Sequence, residues 1–580
     1  MKRFVLAVLV LLLAFGGFAT SAQAPEGTYL GTWPYVLPPD HHLNSVASGG
    51  LNTNLGTVYR GIVELTPAHY MWATNEYTPV LAESWGFADD GSYFEFTLKS
   101  GALWSNGDPI TSNDVVTTYA IGRILNWSQF NYINDVQAVD DLTTRFIFTS
   151  APSLLLERLV LKEWIIASAN YGELAGKALA LIADGKTRDD QEWKDLAAEI
   201  NAFRPEELIA SGPYTYTLND VGDAFMTLRW QPNSLYSGTV NFGEVKLWAG
   251  ETEVTAPLVL SGELAHSTNV YPPATMSAFV DAGINVIEIP RGYGPALLFK
   301  FGVAPLDIKE VRQAMAYAIE RNQNAFLTNG IGATPSTCMC GLLNDSAKVL
   351  LSEETQAALN PYEYNVETAA ALMEQAGFTR NDAGKWVDAD GNTIALEYKF
   401  PADFADFSAA SQDAINQLND FGFDITAVAL PWQEAAAAIR AGDFQLSVWS
   451  YASGSPFATS QFFGPIQRFN YVGLADDQRG MDFAMQFEYN GEQIDLDQMI
   501  KDASAGLDAV QQMATADQIA TIINDLMPYI PLNEMISVEP FNTTLVAGVP
   551  EPGDPVLANP TGSDHFAILW LLEGKLSPAN

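Results

Sequence analysis

The chain is poor in the residues from which catalytic and metal centres are built. Its 580 residues hold two cysteines and five histidines, and basic residues number only 29 against 69 acidic ones. So few thiols exclude a disulfide scaffold. Cys338 and Cys340 are separated by one residue, a spacing that strains a bridge, so a loop pair without a designed role is expected. His41-His42 reads as a surface pair, and His69, His266 and His565 show no metal-ligand spacing. Neither a Gly-x-Ser-x-Gly elbow nor His-Glu-x-x-His occurs. The stretch 172–177 is one residue short of a phosphate loop, and Ala178 stands where a magnesium-holding hydroxyl belongs. The shortage of positive charge, a net −40, repels phosphate backbones and anionic headgroups, so neither nucleic acid nor a membrane surface is an expected partner.

Long apolar runs are also missing, with one exception at the start. Lys2 and Arg3 precede an unbroken apolar run from Phe4 to Phe15, and Ala22-Gln23-Ala24 follows with small residues at cleavage spacing. This is the pattern of a secretory leader, 1–24. The run is too short to span a bilayer, which takes ~20 residues. No cysteine lies near the cleavage site, so a lipid anchor is not expected. Secretion to a periplasmic or extracellular compartment is.

What is present is ample core and an alternation of strands and helices. Apolar residues make up 48% and charged ones 17%, and the length calls for at least two lobes. In Tyr93 to Lys99, Phe94, Phe96 and Leu98 alternate with polar residues as in a half-buried strand. Thr111 with Asp114 has capping-box spacing. Asp307 is expected to cap a helix carrying Val311, Met315 and Ile319, and Asn365 another carrying Ala369, Leu372 and Met373. From Ser408 onward the order helix, strand 425–430, helix 432–440, strand 444–450 is βαβ logic with a parallel sheet. Ligands in such sheets sit beyond the carboxyl ends of the strands, which marks Trp449 to Phe457.

The ordered matches Pro79-Val80-Leu81-Ala82-Glu83-Ser84-Trp85, Asp90-Gly91, Gly101, Trp104, Asn106-Gly107 and Pro109-Ile110-Thr111 resemble the signature of the family 5 extracellular solute-binding proteins. Ala304-Pro305-Leu306-Asp307 and Val311 to Arg321 add a second piece. The family serves ABC importers of oligopeptides, dipeptides, nickel and some oligosaccharides. The resemblance implies an α/β, two-lobed periplasmic-binding-protein-like fold, a type II hinged clamp with a small additional domain. Lobe I would comprise 25–60, 205–295 and 521–580, the small domain 61–204, and lobe II 296–520. Segments 292–301 and 527–532 would serve as hinges. It also implies a monomer that delivers a small-molecule solute to a membrane permease, with no catalysis and no cofactor.

Peptide binders of the family usually carry Trp-x-x-Asp-x-x-Asp-Pro, whose aspartate pairs with the peptide ammonium. Here Trp449 and Pro456 match, but Ala452 and Ser455 replace both acids. What remains is aromatic and hydroxyl-bearing. Trp33, Tyr35, Trp432, Trp449, Ser450, Tyr451, Ser453 and Phe457 are the candidate ligand contacts, and they favour an oligosaccharide over an oligopeptide. A secreted glycoside-acting enzyme is the alternative of another class, since a carboxylate pair ~5–9.5 Å apart could hide among so many acids.

Overall fold

The computed structural model describes residues 23–33, 37–149, 152–470 and 480–579. The expected leader, apart from its last two residues, and Tyr35 lie outside them. Two large hydrophobic cores define two lobes. One gathers buried residues between 296 and 532. The other draws on 29–289 and on 541–576, so its lobe is assembled from distant pieces of chain.

The second core carries a four-stranded sheet in which Thr28–Thr32 runs parallel to Glu244–Trp248. Beside it lies an antiparallel sheet of Ala82–Phe87, Tyr93–Leu98, Thr143–Phe148 and Ile133–Ala138. Alternation works there as read: Phe94, Phe96 and Leu98 are buried while their neighbours are not. The helix Ser112–Ile124 opens on the expected box, with Thr111 N–H donating to Asp114 Oδ2 at 2.8 Å.

The first core surrounds a five-stranded sheet in the order 424–430, 395–401, 446–451, 294–299, 529–531. Ala395–Pro401 pairs in parallel with both Asp424–Leu430 and Leu446–Tyr451, the arrangement that βαβ connections impose. Asn365 caps Val366–Gln375 through the N–H groups of Glu367 and Thr368.

Two expectations need correction. The helix with Val311 and Met315 begins at Lys309 with Ile308 as its N-cap, and no side chain caps it. Ile308 N–H is drawn into a turn on Pro305 O, which leaves Asp307 one residue too early. Cys338 and Cys340 are joined by a disulfide. Met339 between them sits at φ 52°, and this left-handed turn brings the two side chains together.

Two crossings connect the lobes. Asn285–Pro290 leads into Gly294–Phe299, and Tyr529–Pro531 leads into Asn533–Phe541. The last strand is shared: residues 533–535 pair with Ala333–Pro335, and residues 536–541 pair with Asn285–Pro290. Away from the crossings the rims also meet, through a bridge between Ser153 and Gly506.

Candidate functional site

Between the lobes lie two cavities of about 530 Å³ and about 210 Å³. Asn75, Val349, Leu350 and Pro456 line both, so they form one cleft with a waist. The wall on one side is the tip of the hairpin Ala68–Met71/Glu76–Pro79, which presents Trp72 and Asn75. Asn75 sits at φ 55°, a conformation that asparagine tolerates and that closes this turn. The opposite wall is the short helix Asn344–Leu350 with Leu343. The floor is the crossings themselves, with Pro290, Gly292, Tyr293 and Glu534.

Charge in the larger cavity is nearly cancelled. Lys348 is paired with Asp345 at 2.7 Å. Glu534 is 9% exposed and has no cationic partner within salt-bridge reach among the described residues. Burial lifts its carboxyl to about 8, against the hydrogen bond from Asn344 N–H, and Asp345 pushes the same way as burial. It is therefore mostly protonated at neutral pH. In the smaller cavity, burial also raises Glu157 above the usual carboxyl range.

The structure separates the sequence candidates. Phe457 lines the smaller cavity together with Tyr70, their ring centroids 6.5 Å apart. Trp449 is 7% exposed and packs against Phe404, Phe407 and Phe469 in the lobe core. Ser450 is a strand residue opposite Pro295. Tyr451 is fully buried, with its hydroxyl near Ser336 Oγ at 3.2 Å and Glu534 Oε1 at 3.3 Å. Ser453 Oγ donates to Ser460 O. Trp432 opens its helix and stacks on Phe404 at 5.9 Å, away from either cavity. Trp33 donates its indole N–H to Asn54 O and lines neither cavity. The rule that ligands sit beyond the strand end points to the right place, but the strand runs on to Tyr451. Of the segment that follows the strand, Pro456, Phe457 and Ala458 reach the cleft.

Sequence reasoning missed Trp72, Asn75, Tyr293, Val349 and Glu534. None lies in a motif; they come from a hairpin tip, a short helix and the crossings, which only the tertiary fold assembles. An aromatic-rich turn, Tyr70 to Tyr77, was the one available signal.

A second polar cluster could hold a cation by composition. His266, Glu539 and His565 bring their ligand-type atoms within 4.8 Å of one another. Their hydrogen bonds close without one. Glu539 Oε2 accepts from His266 Nε2 at 2.6 Å and His565 Nε2 at 3.2 Å, and Oε1 accepts from Ser537 and Thr561 hydroxyls. His565 Nδ1 accepts from Ala567 N–H. Freeing Nε2 for a metal would move the proton to Nδ1, against that N–H. The cluster is a structural network of one lobe.

A two-lobed body with a cleft at paired crossings has the architecture of a hinged clamp. The model for the bacterial extracellular solute-binding proteins, family 5, matches residues 76–468, and the chain belongs to that family, a solute-binding protein of the ABC importer class. It is 20% identical over 567 residues to the nickel-binding periplasmic protein of Escherichia coli, covering 94% of this chain and 95% of that one. The dipeptide-binding protein of E. coli is 24% identical over 344 residues, 53% of this chain and 56% of its own. Among solved structures, the periplasmic oligopeptide-binding protein of Thermotoga maritima superposes with a TM-score of 0.75 at 18% identity, covering 96% and 99% of the two chains. A mannohexaose-bound structure of that protein gives 0.68 at 17%, with the same coverage. Among the described residues no helix is long and apolar enough to cross a membrane.

Proposed function

We propose that the protein captures an uncharged, ring-bearing solute, an oligosaccharide in preference to a peptide, outside the cytoplasmic membrane and delivers it to an ABC permease. The observation that carries this reading is the chemistry of the cleft. Aromatic and aliphatic walls enclose it, its lysine is neutralised by Asp345, and Glu534 is held protonated. A neutral carboxyl can both donate to and accept from sugar hydroxyls. A peptide ammonium would require an ionised partner, and Ala452 and Ser455 stand where peptide binders place aspartates. The mannohexaose-bound Thermotoga protein, which has the same fold, supports the reading. The protein acts by binding and release and performs no chemistry on its cargo. Residues 292–301 and 527–532 serve as hinges, and the lobes 25–60/205–295/521–580 and 296–520 close on the solute, with 61–204 as the appended domain.

The test is a thermal-shift screen of the purified protein against mannohexaose, di- to pentapeptides and nickel. Native-state binding raises stability by about 2.7 kcal/mol at a hundredfold excess over Kd. A shift with mannohexaose and none with peptides supports the reading. A shift with peptides alone would transfer it to the oligopeptide branch.

A further inference from the structure

Trp72 is held more firmly than a residue at a hairpin tip needs to be. Its backbone N–H donates to Asn559 Oδ1 at 2.9 Å, and its indole N–H donates to Asp564 Oδ2 at 3.1 Å. Asp564 is itself fixed, ion-paired to Arg158 and accepting from Ser563 Oγ at 3.0 Å, with its backbone at φ 58° in the left-handed region. Arg158, 5% exposed, lies over the Tyr70 ring at 4.8 Å, and Tyr70 meets Trp72 edge-on at 6.4 Å. Arg158 Nη1 has no hydrogen-bond partner among the described residues.

As a means of stabilising a hairpin this assembly is uneconomical. Burying an ion costs several kcal/mol, an apolar pair of similar volume commonly does as well, and an unpartnered buried donor adds to the cost. What the assembly does achieve is orientation. Arg158, Ser563 and the Trp72 indole all converge on Asp564 Oδ2. A binding residue locked by surrounding groups loses no rotamer freedom when ligand arrives.

We propose that Trp72 is the stacking platform of the cleft and that Asp564, with Arg158 and Asn559, is its positioning assembly. The inference rests on the reading of the cleft as the solute site. Because the indole N–H is already committed to Asp564, Trp72 offers a ligand ring-face contact and no hydrogen bond. It therefore selects a solute with a flat apolar face, such as a pyranose ring, and tolerates variation in that solute's hydroxyls.

The test uses full-length protein labelled with 5-fluorotryptophan and mannohexaose as the probe, with trialanine as the comparison. The Trp72 fluorine resonance is assigned by its loss in Trp72→Phe. The expected result is that mannohexaose moves this resonance, that Trp72→Ala loses about 30-fold or more in affinity, the size seen on truncating a tryptophan anchor, and that Trp72→Phe retains most of it. Lys162 is the third ion of the cluster, 3.7 Å from Asp564 Oδ2, so the combined variant Arg158→Met, Lys162→Met and Asp564→Leu removes the charges together, and it should fold while binding mannohexaose more weakly. That loss without a lower melting temperature is what a purely structural role would not produce. If wild type binds mannohexaose but Trp72→Ala binds equally well, or the resonance stays still, the inference is overturned and the cleft reading survives. Binding of trialanine alone overturns the ring-face selection. Binding of neither probe removes the reading and the inference together.

Discussion

Two glutamates five residues apart on one strand, Asn533–Phe541, meet opposite electrostatic fates. Both are buried. Glu539 receives four hydrogen bonds from two imidazoles and two hydroxyls. Burial alone would raise its carboxyl, but His565 and His266 outweigh that and hold it well below the usual range. Glu534 receives one backbone N–H and a longer bond from Tyr451, and burial prevails. The difference teaches what each end of the strand is for. A carboxylate with all its acceptors satisfied cements a lobe, tying Tyr29 through His266 to the C-terminal helix at His565. A carboxyl left partly unsatisfied beside a cavity remains available to a ligand.

The sharpest way to break this comparison is to remove the cement. Glu539→Ala leaves two imidazole N–H groups and two hydroxyls without their acceptor and should cost about 3–5 kcal/mol, measured by denaturant unfolding. A loss below about 1 kcal/mol would mean that the network is not what holds the lobe.

The pH dependence of stability comes next, and the two glutamates contribute with opposite signs. Burial raises the folded-state pKa of Glu534 to about 8, from the ordinary carboxyl value of 4.5. The native state thus keeps a proton that the unfolded chain loses, and its contribution is lost as pH rises from 4.5 through 8. Glu539 is depressed, so its contribution is present above the ordinary carboxyl range and lost as pH falls below it. His266 is also lowered, by burial, which adds a loss below pH 6.5. Stability measured by unfolding between pH 4 and 9 should therefore fall on both sides. Glu534→Gln should match wild type near pH 4.5 and exceed it at pH 8 to 9. A variant that follows the wild-type curve throughout would show that Glu534 is ionised in the cleft.

Gly292 tests the crossing between the two ends. It sits at φ 81°, and a Cβ there would lie 2.7 Å from Gly454 Cα. Gly292→Ala carries ~1–2 kcal/mol of left-handed strain and props the lobes apart, so solute affinity should drop about tenfold, or ~1.4 kcal/mol, by calorimetric titration. The smallest effect is expected at Trp432, 40% exposed on Phe404. Trp432→Ala should cost less than ~1.5 kcal/mol and leave solute affinity unchanged; a loss of affinity would place the ligand elsewhere.

The same contrast explains what the sequence made legible. Local chemistry was readable wherever a few adjacent residues decide the outcome: the Thr111–Asp114 box, the Asn365 cap, the alternation around Phe94 and the parallel order after Ser408. The family signature was readable because it is itself a run of turns, caps and strand residues. The site was not, because its walls are brought together only by the crossings. Trp449 and Tyr451 are aromatic at a strand end and still belong to the core, since helices cover the sheet and the strand continues through them. Asp307 failed as a cap by a single residue, a shift that a turn on Pro305 decides.

The most direct measurement fills the cleft. Val349 is 49% exposed and lines both cavities, so Val349→Trp should obstruct the waist without disturbing either core. Calorimetric titration of this variant with the solute that stabilises wild type should show binding abolished at an unchanged melting temperature. Wild-type affinity in the obstructed protein would contradict the account, because the solute would then bind outside the cleft between the lobes.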